Sequence, residues 1–186
     1  QNLGAAAARN AGWNAGGQPY VAFLDADDAW HPAKLEVQYG WMRDHPDVAM
    51  TGHGWVWVRF GRPPTLLQQD WSAWRVSRCR QLMFSSFYTP TVMLHCNLPY
   101  RFSETRLGPG WVLEDIDLWL RIVLDGNPAW RLDVVLTYLG KAPFGEGGLS
   151  GHLWRMEKGE LNAYWRQVRE GRLHPFFFGL VASWSM

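Results

Sequence analysis

Cysteine is scarce in this 186-residue chain. Cys79 and Cys96 are the only two, too few for a disulfide framework and without the paired spacing of a zinc site, so free thiols in a reducing compartment are expected. Neither sign of charge is in excess: 18 basic against 17 acidic side chains leave a formal net of +1, which argues against a nucleic-acid partner. No apolar run approaches the roughly 18 residues needed to span a bilayer. The stretch Phe176 to Trp184 is the one candidate for membrane contact, and it is short. No basic stretch and apolar run typical of a secretory leader follows Gln1, and no internal repeat or low-complexity segment is present.

What the chain does hold is 47% hydrophobic residues, enough to bury the core of about one ordinary domain. The 13 tryptophans are the compositional anomaly. Trp combines a broad apolar face with one N–H donor and suits both cores and sugar-stacking surfaces; most are expected in the core. The Ala run from Ala5 predicts a helix through Trp13, ended by Gly16 and Gly17. Tyr20 to Leu24 is continuously apolar, as expected of a central strand covered on both faces. Pro32 opens a second helix with Leu35, Tyr39 and Met42 at helical spacing. Alternation over Val48 to Phe60 predicts a half-buried strand, and Thr89 to His95 a short one with Pro90 at its start. Leu113, Ile116, Leu120 and Val123 make one stripe of a helix ended by Gly126. Val134 to Leu139 is the last strand, followed by a Gly-rich stretch from Lys141 to Gly151 and a helical segment from about Leu153 to Arg169.

Two acidic clusters carry the chemistry. Asp25, Asp27 and Asp28 fall where the strand Tyr20 to Leu24 ends, the place at which ligands gather in α/β sheets. Closely spaced carboxylates on a turn are hard oxygen donors suited to Mg2+ or Mn2+ holding a diphosphate. They equally suit a plain turn leading into a helix. Glu114 and Asp115 stand at a loop-to-helix junction after Leu107 to Trp111, where one carboxylate can serve as general base or simply favour the helix N-terminus. Asp117 and Arg121, four apart, read as a surface ion pair.

Three segments in order, NLGAAAARNAGWNAG, YVAFLDADDAWHPAKLEVQ and EDIDLWLRI, jointly resemble the family 2 glycosyltransferases. The resemblance spans roughly residues 1 to 155. It implies an α/β fold of the GT-A nucleotide-diphospho-sugar transferase type, a mixed sheet flanked by helices, and an inverting, metal-dependent transfer from a nucleotide-diphosphate sugar. It assigns Asp25 and Asp27 to the divalent cation and diphosphate, Asp115 with Glu114 to the catalytic pair, Asp115 being the base, and Arg9 to the nucleotide side. Such proteins begin with a strand, helix and strand that grip the base and ribose, so this chain is expected to begin partway through the fold.

The expected organisation is a partial GT-A domain over residues 1–170 and an apolar C-terminal tail over residues 171–186. The acceptor implied is a glycan or a lipid-linked sugar in cell-surface polysaccharide or lipopolysaccharide synthesis. The setting is cytoplasmic, with peripheral contact to the inner membrane face through the Phe-rich tail. Trp111 suits stacking on an acceptor ring or packing in the core. The stretch GEGGLSGHLWRMEKGE resembles the loop and helix that follow the last strand in such proteins; its glycines would allow a closing lid, and within it His152, Arg155 and Lys158 would meet the diphosphate or lie as surface charge. A non-catalytic carbohydrate-binding module, using its tryptophans and acidic turn to hold glycans, is the alternative.

Overall fold

A computed structural model describes residues 4–58, 70–104, 112–140 and 153–185. Among these residues six strands form one mixed sheet: β1 (Tyr20–Ala22), β2 (Ala29–Trp30), β3 (Met50–Trp57), β4 (Ala73–Arg75), β5 (Met93–His95) and β6 (Ala129–Leu139). The order is β1-β5-β3-β6-β2, with β4 pairing separately to β6. β3 and β6 run parallel, and every other pair is antiparallel. The helices are α1 (Ala5–Ala15), α2 (Lys34–Asp44), α3 (Arg78–Met83), α4 (Glu114–Leu124), α5 (Leu153–Arg169) and α6 (Pro175–Ser185).

α1 forms where the Ala run predicts it and is fixed by two polar side chains rather than by a stripe. Trp13 is buried, and its Nε1 donates to the Cys96 carbonyl at 2.9 Å. The buried Asn10 amide pairs with both backbone groups of Phe102, each at 2.9 Å, and its Nδ2 also donates to Glu104 Oε1 at 2.7 Å, so it is hydrogen-bonded away from water. Phe23, just beyond β1, completes this corner with Trp13 and Phe102 at ring separations of 5.7 and 5.0 Å.

Several expectations are corrected here. Among the described residues the run Tyr20 to Leu24 does not stand centrally: β1 pairs with β5 alone, lies at one end of the strand order, and leaves Leu24 exposed. Its side chains cover the core on one face, and its outer edge meets no strand among the described residues. On α2 the stripe of Leu35 and Tyr39 faces solvent, and the buried positions are Lys34, Gln38 and Met42. The reason is polar: Gln38 Nε2 donates to Thr51 Oγ1 at 2.9 Å and to the Thr91 carbonyl at 3.0 Å, so the helix turns its hydrogen-bonding face to the sheet. β3 is buried on both faces over Met50 to His53 and emerges only near Val56 and Trp57. The segment from Thr89 divides into a 3-10 turn (Thr89–Thr91) holding Pro90, then β5. Of the tryptophans whose side chains are described, only Trp13 and Trp119 are fully buried, while Trp57, Trp154 and Trp165 are exposed and the others lie half-buried.

Two apolar clusters meet at α4. Leu118, Trp119, Ile122 and Val123 join Trp13, Met50 and Leu94 under the sheet, while Leu120 and Leu124 join Leu82, Ala163, Tyr164, Leu173 and Val181 among the helices. Asp117 is therefore no surface residue. It is fully buried and accepts from Arg121 Nε at 3.1 Å, Arg166 Nη1 at 3.2 Å and Gln167 Nε2 at 2.9 Å, because α5 covers it. Gly126, at φ 91°, ends α4 in the left-handed region. The apolar tail docks through Val181, while Phe176, Phe177 and Leu180 stay exposed. No helix among the described residues is long and apolar enough to cross a membrane.

Candidate active site

One arginine ties the two acidic clusters together. Arg9 projects from α1 with Nη2 2.6 Å from Asp25 Oδ1 and Nη1 3.1 Å from Glu114 Oε1. Burial works against its charge, but the hydrogen bond and charge of Asp25, with Glu114 and Asp115, outweigh that cost and raise its pKa. The turn after β1 and the start of α4 lie 16 and 105 residues from Arg9 in sequence, yet share one guanidinium. Arg9, Asp25 and Glu114 are thus in direct contact, and Asp115 adjoins them.

Asp115 has a different set of partners. Its Oδ1 accepts the Ile116 N–H at 2.8 Å, and its Oδ2 lies 3.3 Å from the donating Thr89 hydroxyl. Burial, then the neighbouring Glu114 charge, push its pKa up to about 6, against the pull of the Ile116 N–H and Arg9. A buried carboxylate whose pKa is pushed up to about 6, with no ion pair of its own among the described residues, has the properties of a general base.

The acidic turn is pinned from the far side of the sheet. Asp28 N–H donates to the Asp25 carbonyl at 3.1 Å, and Asp28 Oδ1 accepts the Gly140 N–H at 3.1 Å, at the end of β6. A Cβ at Gly140 would collide with the Asp27 carbonyl oxygen, so only glycine allows this approach. Asp27 is the exposed member of the turn. Among the described residues no three His, Cys, Asp or Glu side chains converge as a complete metal shell. The donor set nonetheless fits a hard divalent cation, which needs only one or two carboxylates when phosphate oxygens and water fill the rest. An open cleft of about 590 Å3 runs between α1 and β1, walled by Ala5, Ala8, Gly12, Val21 and Leu24, with Arg9 and Asp25 among its lining residues.

The segment that holds Thr89 rests on a row of side chains crossing three strands. Trp30 on β2 pairs in register with Thr137 on β6, and Thr137 with Trp55 on β3. Trp30 Nε1 and Thr137 Oγ1 both donate to the Pro90 carbonyl, at 2.7 and 3.0 Å. Below Trp30 lies Lys34, whose Nζ sits 3.7 Å from the ring centroid. It is fully buried, and its ammonium finds no hydrogen-bond partner among the described residues.

The contributions of Thr89, Lys34 and Gly140 were not foreseen from sequence. Thr89 lies 26 residues from Asp115 and carries no local signal of that contact. Lys34 is readable only once α2 is known to bury its polar face. Trp111, His152 and the Gly-rich stretch from Lys141 to Gly151 lie outside the described residues; Arg155 and Lys158 are exposed on α5.

Comparison with known proteins adds an independent line. The family model of Glycosyl transferase family 2 matches residues 1–106. An uncharacterized glycosyltransferase of Methanocaldococcus jannaschii is 23% identical over 190 residues, which take in 100% of this chain and 62% of that protein. The chain thus spans less than two thirds of that relative. Among solved structures, S. aureus TarS 1-349 in complex with UDP aligns at a TM-score of 0.61 and 16% identity, over 90% of this chain and 46% of that one. The same protein in complex with UDP-GlcNAc aligns at 0.62 and 18% identity, over 89% and 47%. This likeness shows the fold, a mixed sheet flanked by helices of the GT-A type.

Proposed function

This chain belongs to glycosyl transferase family 2, and on that premise we propose that it carries the catalytic side of an inverting transferase that moves a sugar from a nucleoside-diphosphate donor to an acceptor hydroxyl. The observation that carries this reading is the bridge from Arg9 to Asp25 and Glu114. It sets a donor-side acidic turn beside a carboxylate with the proton affinity of a base.

In the proposed reaction Asp115 takes the proton of the acceptor hydroxyl as its oxygen attacks the anomeric carbon. The bond from that carbon to the diphosphate oxygen breaks on the opposite face, and the nucleoside diphosphate leaves with the bonding pair. One displacement inverts the centre, and no covalent enzyme intermediate is needed. Thr89 and the Ile116 N–H orient the base, and Arg9 holds the donor turn against it. Asp27, with Asp25, would hold Mg2+ or Mn2+, which supplies charge neutralisation for the diphosphate.

In this reading the protein works in the cytoplasm, where nucleotide sugars are made, on a glycan or lipid-linked acceptor of a cell-surface polymer. The exposed Phe176, Phe177 and Leu180 of α6, an element without a single charged side chain, suit contact with the inner membrane face. The test is donor turnover by the whole protein and by Asp27→Ala and Asp115→Asn. We expect Asp115→Asn to lower kcat roughly 10²- to 10⁴-fold and Asp27→Ala to abolish the response to added Mg2+ or Mn2+. Undiminished transfer by Asp115→Asn would remove it as the base.

A further inference from the structure

A V-shaped aromatic pair opens beside the base. Trp55 of β3 and Tyr88, one residue before Thr89, meet with ring centroids 5.1 Å apart and planes inclined at 59°. Both are half-buried. Trp55 shares the sheet face of Thr137 and Trp30, which hold Pro90, so the pair is fixed to the same short segment that positions Asp115.

A second helix brings a further carboxylate to this place. The Leu113 N–H donates to the Gly159 carbonyl at 3.2 Å, which sets the next residue, Glu160, at the start of α4 near Asp115. The hydroxyl of Tyr164 lies 3.1 Å from the Leu82 carbonyl and 3.5 Å from Glu160 Oε1, one long contact that leaves a carboxylate with two oxygens further capacity to accept. The charges report the same proximity. Glu160 is pushed up by burial, then by Glu157 and Asp115. Tyr88 is pushed up by burial and by Asp115 and Glu160, with Arg131 opposing.

Flat apolar ring faces beside hydrogen-bond acceptors match a sugar, whose C–H faces stack and whose hydroxyls donate. Glu114, Asp115, Glu157 and Glu160 outnumber Arg9, which Glu114 shares with Asp25, and leave the surroundings anionic. Arg155 and Lys158 stand away from the Glu160 face by helical spacing, and Arg131 is engaged with the Ser86 carbonyl at 2.6 Å. A phosphate group would be repelled here.

We propose that Trp55, Tyr88 and Glu160 form the acceptor subsite, and that the acceptor is an uncharged sugar rather than a phosphate-bearing one. Its ring lies on the aromatic pair, one hydroxyl bonds Glu160, and the reacting hydroxyl meets Asp115. This assignment rests on the transferase reading above.

The experiment is saturation-transfer NMR on the whole protein, with the methyl glycosides of glucose, galactose, mannose and N-acetylglucosamine, and with glucose 6-phosphate as the charged counterpart. Saturable transfer to at least one neutral glycoside is expected, together with none to glucose 6-phosphate. The signal disappears in Trp55→Ala, and affinity falls about tenfold in Glu160→Gln, the loss of one charge-assisted hydrogen bond. Circular dichroism confirms that each variant is folded, and Glu160→Gln alone decides if Trp55→Ala is not. No response to any neutral glycoside, equal binding by the folded variants, or comparable binding of glucose 6-phosphate would overturn the proposal. UDP binding by the unaltered protein is measured separately. Its absence with glycoside binding intact would sink the transferase reading and the acceptor role, leaving a carbohydrate-binding protein.

Discussion

Asp115 owes its proton affinity first to burial and then to Glu114, and the second cause can be removed by mutation. If Asp115 is the base, the rate climbs as pH rises through about 6. In Glu114→Gln a repelling charge is gone, the ionised form of Asp115 is favoured, and the acidic limb of the pH–rate profile moves to lower pH. Arg9 stays held by Asp25 in that variant. A limb that stays in place or moves upward counts against the assignment. Lys34 gives the opposite case, a cation that burial pushes down to about 7. An unfolded lysine titrates near 10.5, so between about 7 and 10.5 the unfolded chain binds the extra proton. Stability therefore rises with pH across that window, and the full cost of the buried charge is felt below it. Lys34→Met removes the cost. Its gain in melting midpoint over the unaltered protein should be largest near pH 6 and should shrink towards pH 9; a gain constant with pH would mean that the amine keeps its proton in the fold as in the unfolded chain, its pKa not lowered.

At the scale of elements, existence was legible and orientation was not. The Ala run, Pro32, the break at Gly126 and the apolar stripe before it gave α1, α2 and α4, because these signals are local. The acidic turn after β1 and the pair opening α4 were legible for the same reason. Which face of α2 goes inward was not, since the backbone carbonyls that Gln38 serves come from Thr51 and Thr91, on elements that sequence order does not place beside it. Asp117 and Arg121 look like a surface pair at i,i+4 until α5 closes over them with Arg166 and Gln167. β4 and α3 fall in a stretch with no clear period, and their place is set by β6 and by the helical layer. The contact of Thr89 with Asp115 depends on the row Trp30, Thr137 and Trp55, three residues on three strands, which no single window of sequence displays.

Among the described residues two apolar clusters share α4, one under the sheet and one among α3, α5 and α6, and a third, smaller one packs Leu132, Val134 and Leu136 of β6 against α2. The buried Asp117 network joins the first two. Removing that carboxylate leaves Arg121 without its charge partner, and Asp117→Ala should lower unfolding free energy by about 3–5 kcal/mol; chemical denaturation measures it, and a loss under about 1 kcal/mol would show that α5 is not pinned there. Both halves of the candidate site depend on this body: Asp115 rides on α4, and the acidic turn is held between Arg9 and the end of β6. Gly140 makes that second hold possible by having no side chain. Even an alanine codon at this position would force the acidic turn from its seat. Sequence drift is therefore barred at a residue with no functional group of its own, and a natural lineage that keeps Asp27 in use must also keep an empty place at 140.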